Sequence, residues 1–262
     1  MSNINLIWHI INKFKQLNNY IVLFQKSVFK GDKEPEFLLD FFKNNNIGTY
    51  VDVGANLPSN SVTKYFANKW KGLLIEPIPE NVEKFIEVGR DNIWQGAVTS
   101  PSKAQDSFLN LTLAGDNGAH SSLDKESISP SSISGKKIKV PVDTLDNLLS
   151  RFDINKIELL SIDTEGTEVD VLKGIDLEYF DIDLILIEDW GRDFNIYKYL
   201  KSKNYKRVRR TGYNSWYIKT EDNSISVSLF GYFQMFRKFV LSMPGKNIRQ
   251  LRHKRKFREK VG

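Results

Sequence analysis

The chain has 262 residues, of which 40% are hydrophobic and 27% charged, with no cysteine and a formal net charge of +6. That length accommodates one α/β domain with additions, and the missing cysteines exclude both disulfides and thiolate metal sites. No run approaches the roughly 20 apolar residues of a membrane span, and no basic leader with a small-residue cleavage site opens the chain, so a cytoplasmic location is expected. The positive charge is uneven. Residues 237–260 hold ten Lys or Arg and a single acid, Glu259, leaving the remainder near neutral.

In chain order, residues 4–24 place Ile7, Ile10, Ile11, Phe14, Leu17 and Ile21 at helical spacing, the stripe of an amphipathic helix. Residues 35–46 predict another, with Pro35 at its first position and Gly48 just beyond its end. Residues 1–48 therefore read as a helical addition. The stretch Thr49-Tyr-Val-Asp-Val-Gly-Ala-Asn56 follows. Its β-forming apolar run, stopped by turn chemistry, predicts a buried strand of a parallel sheet. Asp52 stands near the strand's carboxyl end, Gly54 allows a sharp turn, and a helix is expected from Ser59 and Asn60 through Val62, Tyr65 and Phe66.

The loop lacks the G-x-G-x-x-G of dinucleotide sites, and no Gly-Lys-Ser/Thr follows it, so a pyrophosphate-cradling turn is not indicated. An acid just before a single-glycine turn suits a ligand with a cationic amino-acid end and no phosphate, and S-adenosylmethionine is such a ligand. The run from Lys71 to Glu76 is a second strand ending in an acid. Glu76 falls 24 positions after Asp52, near the roughly 20-residue spacing at which an acid meets a ribose diol. Pro79 opens the next helix and Gly89 closes it.

Residues 92–98 predict a third strand. Residues 99–137 are Ser-rich and polar, interrupted by the alternating run Phe108 to Leu113 and by Gly118-Ala-His120-Ser-Ser-Leu123. A strand at 138–142 and a helix at 145–149 lead to Ile157-Glu-Leu-Leu-Ser-Ile-Asp163, followed by Thr164-Glu165-Gly166-Thr167-Glu168. Thr167 and Asp170 predict a capping box for a helix ending at Gly174. Residues 181–189 form an apolar strand ending in Glu188 and Asp189. A helix at 194–201 precedes an antiparallel pair, 205–210 and 215–219. Five apolar strands with intervening helices predict a doubly wound sheet with a terminal hairpin, a domain covering 49–220. Residues 221–262 combine the stripe Leu229, Phe233, Phe236, Val240 and Met243 with the basic run, the pattern of an interfacial helix on an anionic membrane.

Taken together, the motifs resemble the FkbM-type family of S-adenosylmethionine-dependent methyltransferases. Val51-Asp-Val-Gly-Ala-Asn56, Ile75-Glu-Pro-Ile-Pro-Glu-Asn81, His120-Ser-Ser-Leu123, Val142-Asp-Thr-Leu-Asp146, Ser161-Ile-Asp-Thr-Glu-Gly-Thr-Glu168 with Leu172-Lys-Gly174, and Leu186-Ile-Glu188 occur in the family's order. Pro58 departs from it, standing where glycine is usual. The resemblance implies a class I, Rossmann-like methyltransferase fold and O-methylation of a sugar, glycan or secondary-metabolite hydroxyl. It further implies that Asp52, Gly54 and Asn56, with Ala55, hold the methionine end. Glu76 and Pro77 would meet the ribose, Gly96 and Ala97 would border the adenine, and Ser121 would complete the cofactor set.

Methyl transfer to a hydroxyl requires alignment and removal of a proton, by a base or with help from a metal. His120 is one of three histidines and the one set in a crevice motif; it is the expected base, with Asp163 as a further catalytic candidate and Glu165 as base or orienting group. The rival is Mg²⁺ held by Asp163, Glu188 and Asp189, oxygen donors at the ends of neighbouring strands. Two other readings compete. An inactive scaffold could use its basic tail on a membrane or polyanion, and an NAD-linked oxidoreductase is disfavoured by the missing glycines. No Asn/Asp-Pro-Pro-aromatic element follows Asp163, which argues against methylation of nucleic-acid bases. The expectation is an O-methyltransferase for a glycan or lipid-linked precursor, held at the inner membrane face by its C-terminus.

Overall fold

The computed structural model describes residues 34–124, 133–189 and 194–227, together with positions 232, 233 and 236. The expected helix at 4–24, most of the stripe at 227–243 and the basic run to 260 lie outside the described residues.

The main sheet has seven strands. They are β1 (Thr49–Val53), β2 (Lys71–Glu76), β3 (Ile93–Gln95), β7 (Lys156–Ile162), β8 (Asp181–Glu188), β9 (Tyr205–Thr211) and β10 (Asn214–Lys219). Their order is β3-β2-β1-β7-β8-β10-β9. All neighbours are parallel except β10, which runs antiparallel to both β8 and β9. This is the class I methyltransferase arrangement that the sequence pointed to. The chain leaves β1 toward β2 on one side and later returns to β7 on the other, so the strand order reverses between β1 and β7. Ligands of open α/β sheets bind at that switch point, beyond the strands' carboxyl ends.

Strand alternation builds two core layers, because successive side chains point to opposite faces. Val51, Val53, Leu73, Ile75, Leu160, Ile162, Ile185 and Ile187 face one layer. It is covered by helices α4 (Leu145–Arg151), α5 (Glu168–Lys173) and α6 (Phe194–Ser202), which contribute Leu148, Leu172 and Leu200. Tyr50, Leu74, Leu159, Leu184 and Leu186 face the other. That side is closed by Leu38 of α1 (Glu34–Phe41), Phe85 of α2 (Pro79–Glu87) and an aromatic wedge in which Phe66 stacks on Trp70 at 4.3 Å. Each large side chain fully withdrawn from water contributes roughly 1.5–3 kcal/mol.

A second sheet, in the order β4-β6-β5, comprises β4 (Ala97–Val98), β5 (Phe108–Ala114) and β6 (Ile133–Asp143); the short helix α3 (Pro101–Ala104) lies between its first two strands in the chain. Leu111 and Val140 pack on Ile78, just past β2, so this sheet walls one side of the switch-point crevice.

Three local expectations are corrected. The helix expected from Ser59 through Phe66 is a single 3-10 turn, Val62–Tyr65. The strand expected over 92–98 breaks at Gly96 into β3 and β4, which belong to different sheets. A Cβ at Gly96 would collide with the Trp94 ring, so this position can make the corner because it lacks a side chain. The Thr167–Asp170 capping box does not form, for the Thr167 side chain makes no cap bond. The Glu168 carboxylate instead turns back to the preceding loop, accepting from the Thr164 and Gly166 amides at 3.2 and 2.9 Å.

Candidate active site

The crevice opens where β1 and β7 end and holds about 60 Å³ of free volume. Gly54 makes its floor possible. It has φ +81°, and a Cβ there would strike the Asp163 carbonyl, so the turns after β1 and β7 touch backbone to backbone. The Gly54 amide donates to the Ile75 carbonyl at 2.9 Å and the Asp163 amide to Val53 at 2.9 Å. Gly54, Asn56, Glu76, Pro77, Gly96, Ala97, Ser121, Asp163 and Glu165 all line this space. The sequence-predicted cofactor set is thus largely gathered into one place.

Glu76 is its best-anchored member. The carboxylate is 3% exposed and accepts from the Asn56 amide at 2.8 Å, the Ile78 amide at 3.0 Å and Asn81 Nδ2 at 3.3 Å. Burial pushes its carboxyl up to about 7, against the pull of those three donors. Asn81 Nδ2 also donates to the Asn117 carbonyl at 3.0 Å, as does Asn56 Nδ2 at 3.4 Å. The loop after β5 is thereby tied over Glu76. The sequence reading missed Asn81 and Asn117 as members of the site; the Asp116-Asn117-Gly118 turn was the available signal, since Asn tolerates the φ of +52° found there.

Two predicted cofactor residues lie elsewhere. Asp52 does not line the crevice. By alternation it shares Tyr50's face of β1, where its Oδ2 accepts from Ser61 Oγ at 2.6 Å and Thr63 Oγ1 at 2.9 Å. Arg90 bonds the same hydroxyls, at 3.4 and 2.7 Å. Burial raises the Asp52 carboxyl despite these donors and the Arg90 charge. The residue locks the 3-10 turn to the sheet. Ala55 is 2% exposed and packs in the second core layer.

The expected metal trio is rearranged. Asp163, Glu165 and Glu188 bring carboxylate oxygens within 4.8 Å of one another. Asp189 is not among them. One step further along the chain, it points to the opposite side, bonded to Arg210 and, at 2.7 Å, to the Ser215 hydroxyl. Asp163 is exposed toward the crevice, with protein packed densely around its carboxyl on the other sides. That enclosure, and then the charge and hydrogen bond of Glu188, hold its carboxyl well above the usual range. Three oxygen-donor side chains could accommodate a hard cation; equally, Asp163 and Glu188 can share a proton.

His120 stands at the rim. Its Nδ1 is 2.9 Å from Glu165 Oε1. The local chain prepares this pair from both sides. Gly115 leaves room for the imidazole, as a Cβ there would press on its Cδ2 at 2.8 Å. The His120 amide donates to Ala114 at 3.0 Å, and Ser121 Oγ accepts from the Ala114 amide at 3.0 Å. Across the crevice Glu165 adopts φ +54°, left-handed backbone that costs a non-glycine residue about 1 kcal/mol. The Glu168 bonds to either side of it hold the turn. A carboxylate that fixes an imidazole tautomer is the geometry of an assisted general base.

The family model described as the methyltransferase FkbM domain matches residues 52–207, more than half of the chain. No curated protein sequence matches significantly. Among solved structures, a precorrin-6y C5,15-methyltransferase from Geobacter metallireducens aligns at 10% identity and TM-score 0.36, covering 70% of this chain and 85% of that one. A SAM-dependent methyltransferase from Aquifex aeolicus aligns at 13% identity and TM-score 0.33, with 74% and 94% covered. A methyltransferase from Geobacter sulfurreducens aligns at 14% identity and TM-score 0.35, with 71% and 77% covered. The switch-point crevice, the strand order and the match across both strand-end motifs lead to one assignment: the chain belongs to the FkbM family of S-adenosylmethionine-dependent methyltransferases.

Proposed function

We propose that the protein is an O-methyltransferase acting on a hydroxyl of a sugar or glycan, with His120 as the base and Glu165 as the group that orients it. The observation that carries this reading is the His120–Glu165 pair, 2.9 Å apart, of which Glu165 lines the switch-point crevice. S-adenosylmethionine supplies an electrophilic methyl on a sulfonium. Glu76, ionised, would accept the ribose hydroxyls, while the loop at Gly54 and Asn56 would lie against the amino-acid end and Gly96 and Ala97 would border the adenine. Glu165 accepts the Nδ1 proton of His120, leaving Nε2 to receive the proton of an acceptor hydroxyl. The test is transfer of labelled methyl to a panel of glycans. His120→Ala should lower kcat by roughly 10²–10³, the usual worth of a positioned base, with cofactor affinity unchanged. Undiminished kcat in that variant would sink the assignment.

The Asp163–Glu165–Glu188 cluster favours a second reading, in which a divalent cation such as Mg²⁺ lowers the hydroxyl's pKa by coordination. Chelation that abolishes turnover, restored by Mg²⁺, would select it. We also propose contact with an anionic membrane through residues 227–262, supported by exposed Tyr232, Phe233 and Phe236 beside the basic run. Among the described residues no helix is long and apolar enough to cross a membrane. Unchanged liposome partitioning after deleting 227–262 would refute it.

A further inference from the structure

A second concavity, outside the crevice and open to solvent, runs between α5 and α6 with about 550 Å³ of free volume. Its chemistry is unlike that of the crevice. Asn195, Lys198, Tyr199 and Ser202 recur at three- and four-residue spacing, so they share one face of α6, and Lys173 approaches from α5. Asp170 is the acid of this lining, and Lys103 pairs with it at 2.6 Å. Lys173 and Lys198 therefore give the groove a net positive charge. Tyr199 donates to the Leu172 carbonyl at 3.1 Å, which fixes its ring as part of the wall. The two concavities meet at Thr167, which lines both.

We propose that this groove binds the continuation of the acceptor, and that the acceptor is an acidic oligosaccharide whose carboxylate or phosphate groups meet Lys173 and Lys198. The proposal rests on the glycan reading above and narrows it. The crevice is lined by the acids Glu76, Asp163 and Glu165, whereas the groove carries the two lysines that attract an anion. Lys173 lies six residues beyond Thr167, about 9 Å along a helix rising ~1.5 Å per residue. An anionic group at Lys173 therefore lies beyond the reach of one sugar ring from Thr167, where the two concavities meet, so an acceptor spanning both is an oligosaccharide. Amide, hydroxyl and aromatic groups beside the lysines suit sugar hydroxyls and ring faces.

The test uses the full chain and calorimetric titration with tetragalacturonate, a phosphorylated maltotetraose and neutral maltotetraose. The expected result is binding of an anionic ligand, weakened roughly fivefold or more in Lys173→Gln/Lys198→Gln and by about 0.5 M NaCl, since exposed ion pairs are modest and screened. S-adenosylmethionine affinity, read in the same samples, should be unchanged. Equal binding of the neutral tetrasaccharide, indifference to the lysine replacements, or binding of neither anionic ligand would overturn the proposal. Lysine-dependent binding without methyl transfer to any glycan would instead defeat the acceptor reading and leave the groove as an anion site.

Discussion

Asp52 and Glu76 are the two strand-end acids that the sequence presents as a pair, and the fold gives them opposite fates. They sit on adjacent parallel strands and on the same side by alternation, but not at the same level. Asp52 pairs in register with Leu74, and Glu76 lies one step past the Val53–Ile75 pair. Asp52 is still inside the sheet, so its side chain enters the layer between β1 and the 3-10 turn, where Ser61, Thr63 and Arg90 enclose it. Glu76 is level with Gly54, where β1 has already turned away, and its carboxylate faces the crevice. Two positions of register separate an acid sealed in the protein from one that lines the crevice. Glu188 and Asp189 repeat the lesson within a single strand end: one joins the crevice cluster, the other is sealed against Arg210.

The sharpest way to break the comparison is to remove each acid and measure both stability and cofactor affinity. Asp52→Ala strands two buried hydroxyls beside a guanidinium and should cost about 3 kcal/mol of unfolding free energy, while S-adenosylmethionine affinity in the folded protein stays within about threefold. Asp52→Asn, which keeps an acceptor, should cost about 1 kcal/mol. Strong loss of cofactor binding in folded Asp52→Asn would restore that residue to the site. Glu76→Ala should weaken cofactor binding roughly 50-fold, about 2.3 kcal/mol, since two hydroxyl bonds to a charged acceptor are lost.

A smaller effect sharpens the contrast through pH. The folded Glu76 carboxyl titrates near 7 against an ordinary value of 4.5, so between those values the folded chain holds a proton that the unfolded chain has released. This group's stabilising contribution is therefore complete below about pH 4.5 and fades as pH rises through 7, by up to about 3 kcal/mol. Cofactor affinity runs the other way, because the ionised form accepts the diol, and should fall on lowering the pH from 8 to 6. Glu76→Gln should flatten the slopes of thermal stability and of cofactor Kd over that range. A Kd that keeps its slope in the variant would assign the titration to another group.

The sequence by itself determined the strands, the two glycine-containing turns and the order of the motifs, because apolar runs that end at turn residues are local signals. Its motifs also bring Glu76, Asp163 and Glu165 to the lining of one crevice, with His120 against Glu165, because each lies at or just past the end of a strand. What only the tertiary structure decided is which carboxylates face the crevice. That depends on how far each strand runs before its neighbour turns away, as Asp52 and Glu76 show, and on what packs against each face, as Glu188 and Asp189 show. The corner at Gly96, the Asn81–Asn117 tie over Glu76 and the groove between α5 and α6 likewise arise only when separate segments meet. Periodicity along a chain sets the side on which a residue stands in its own element, but the neighbour that it meets there is chosen by packing.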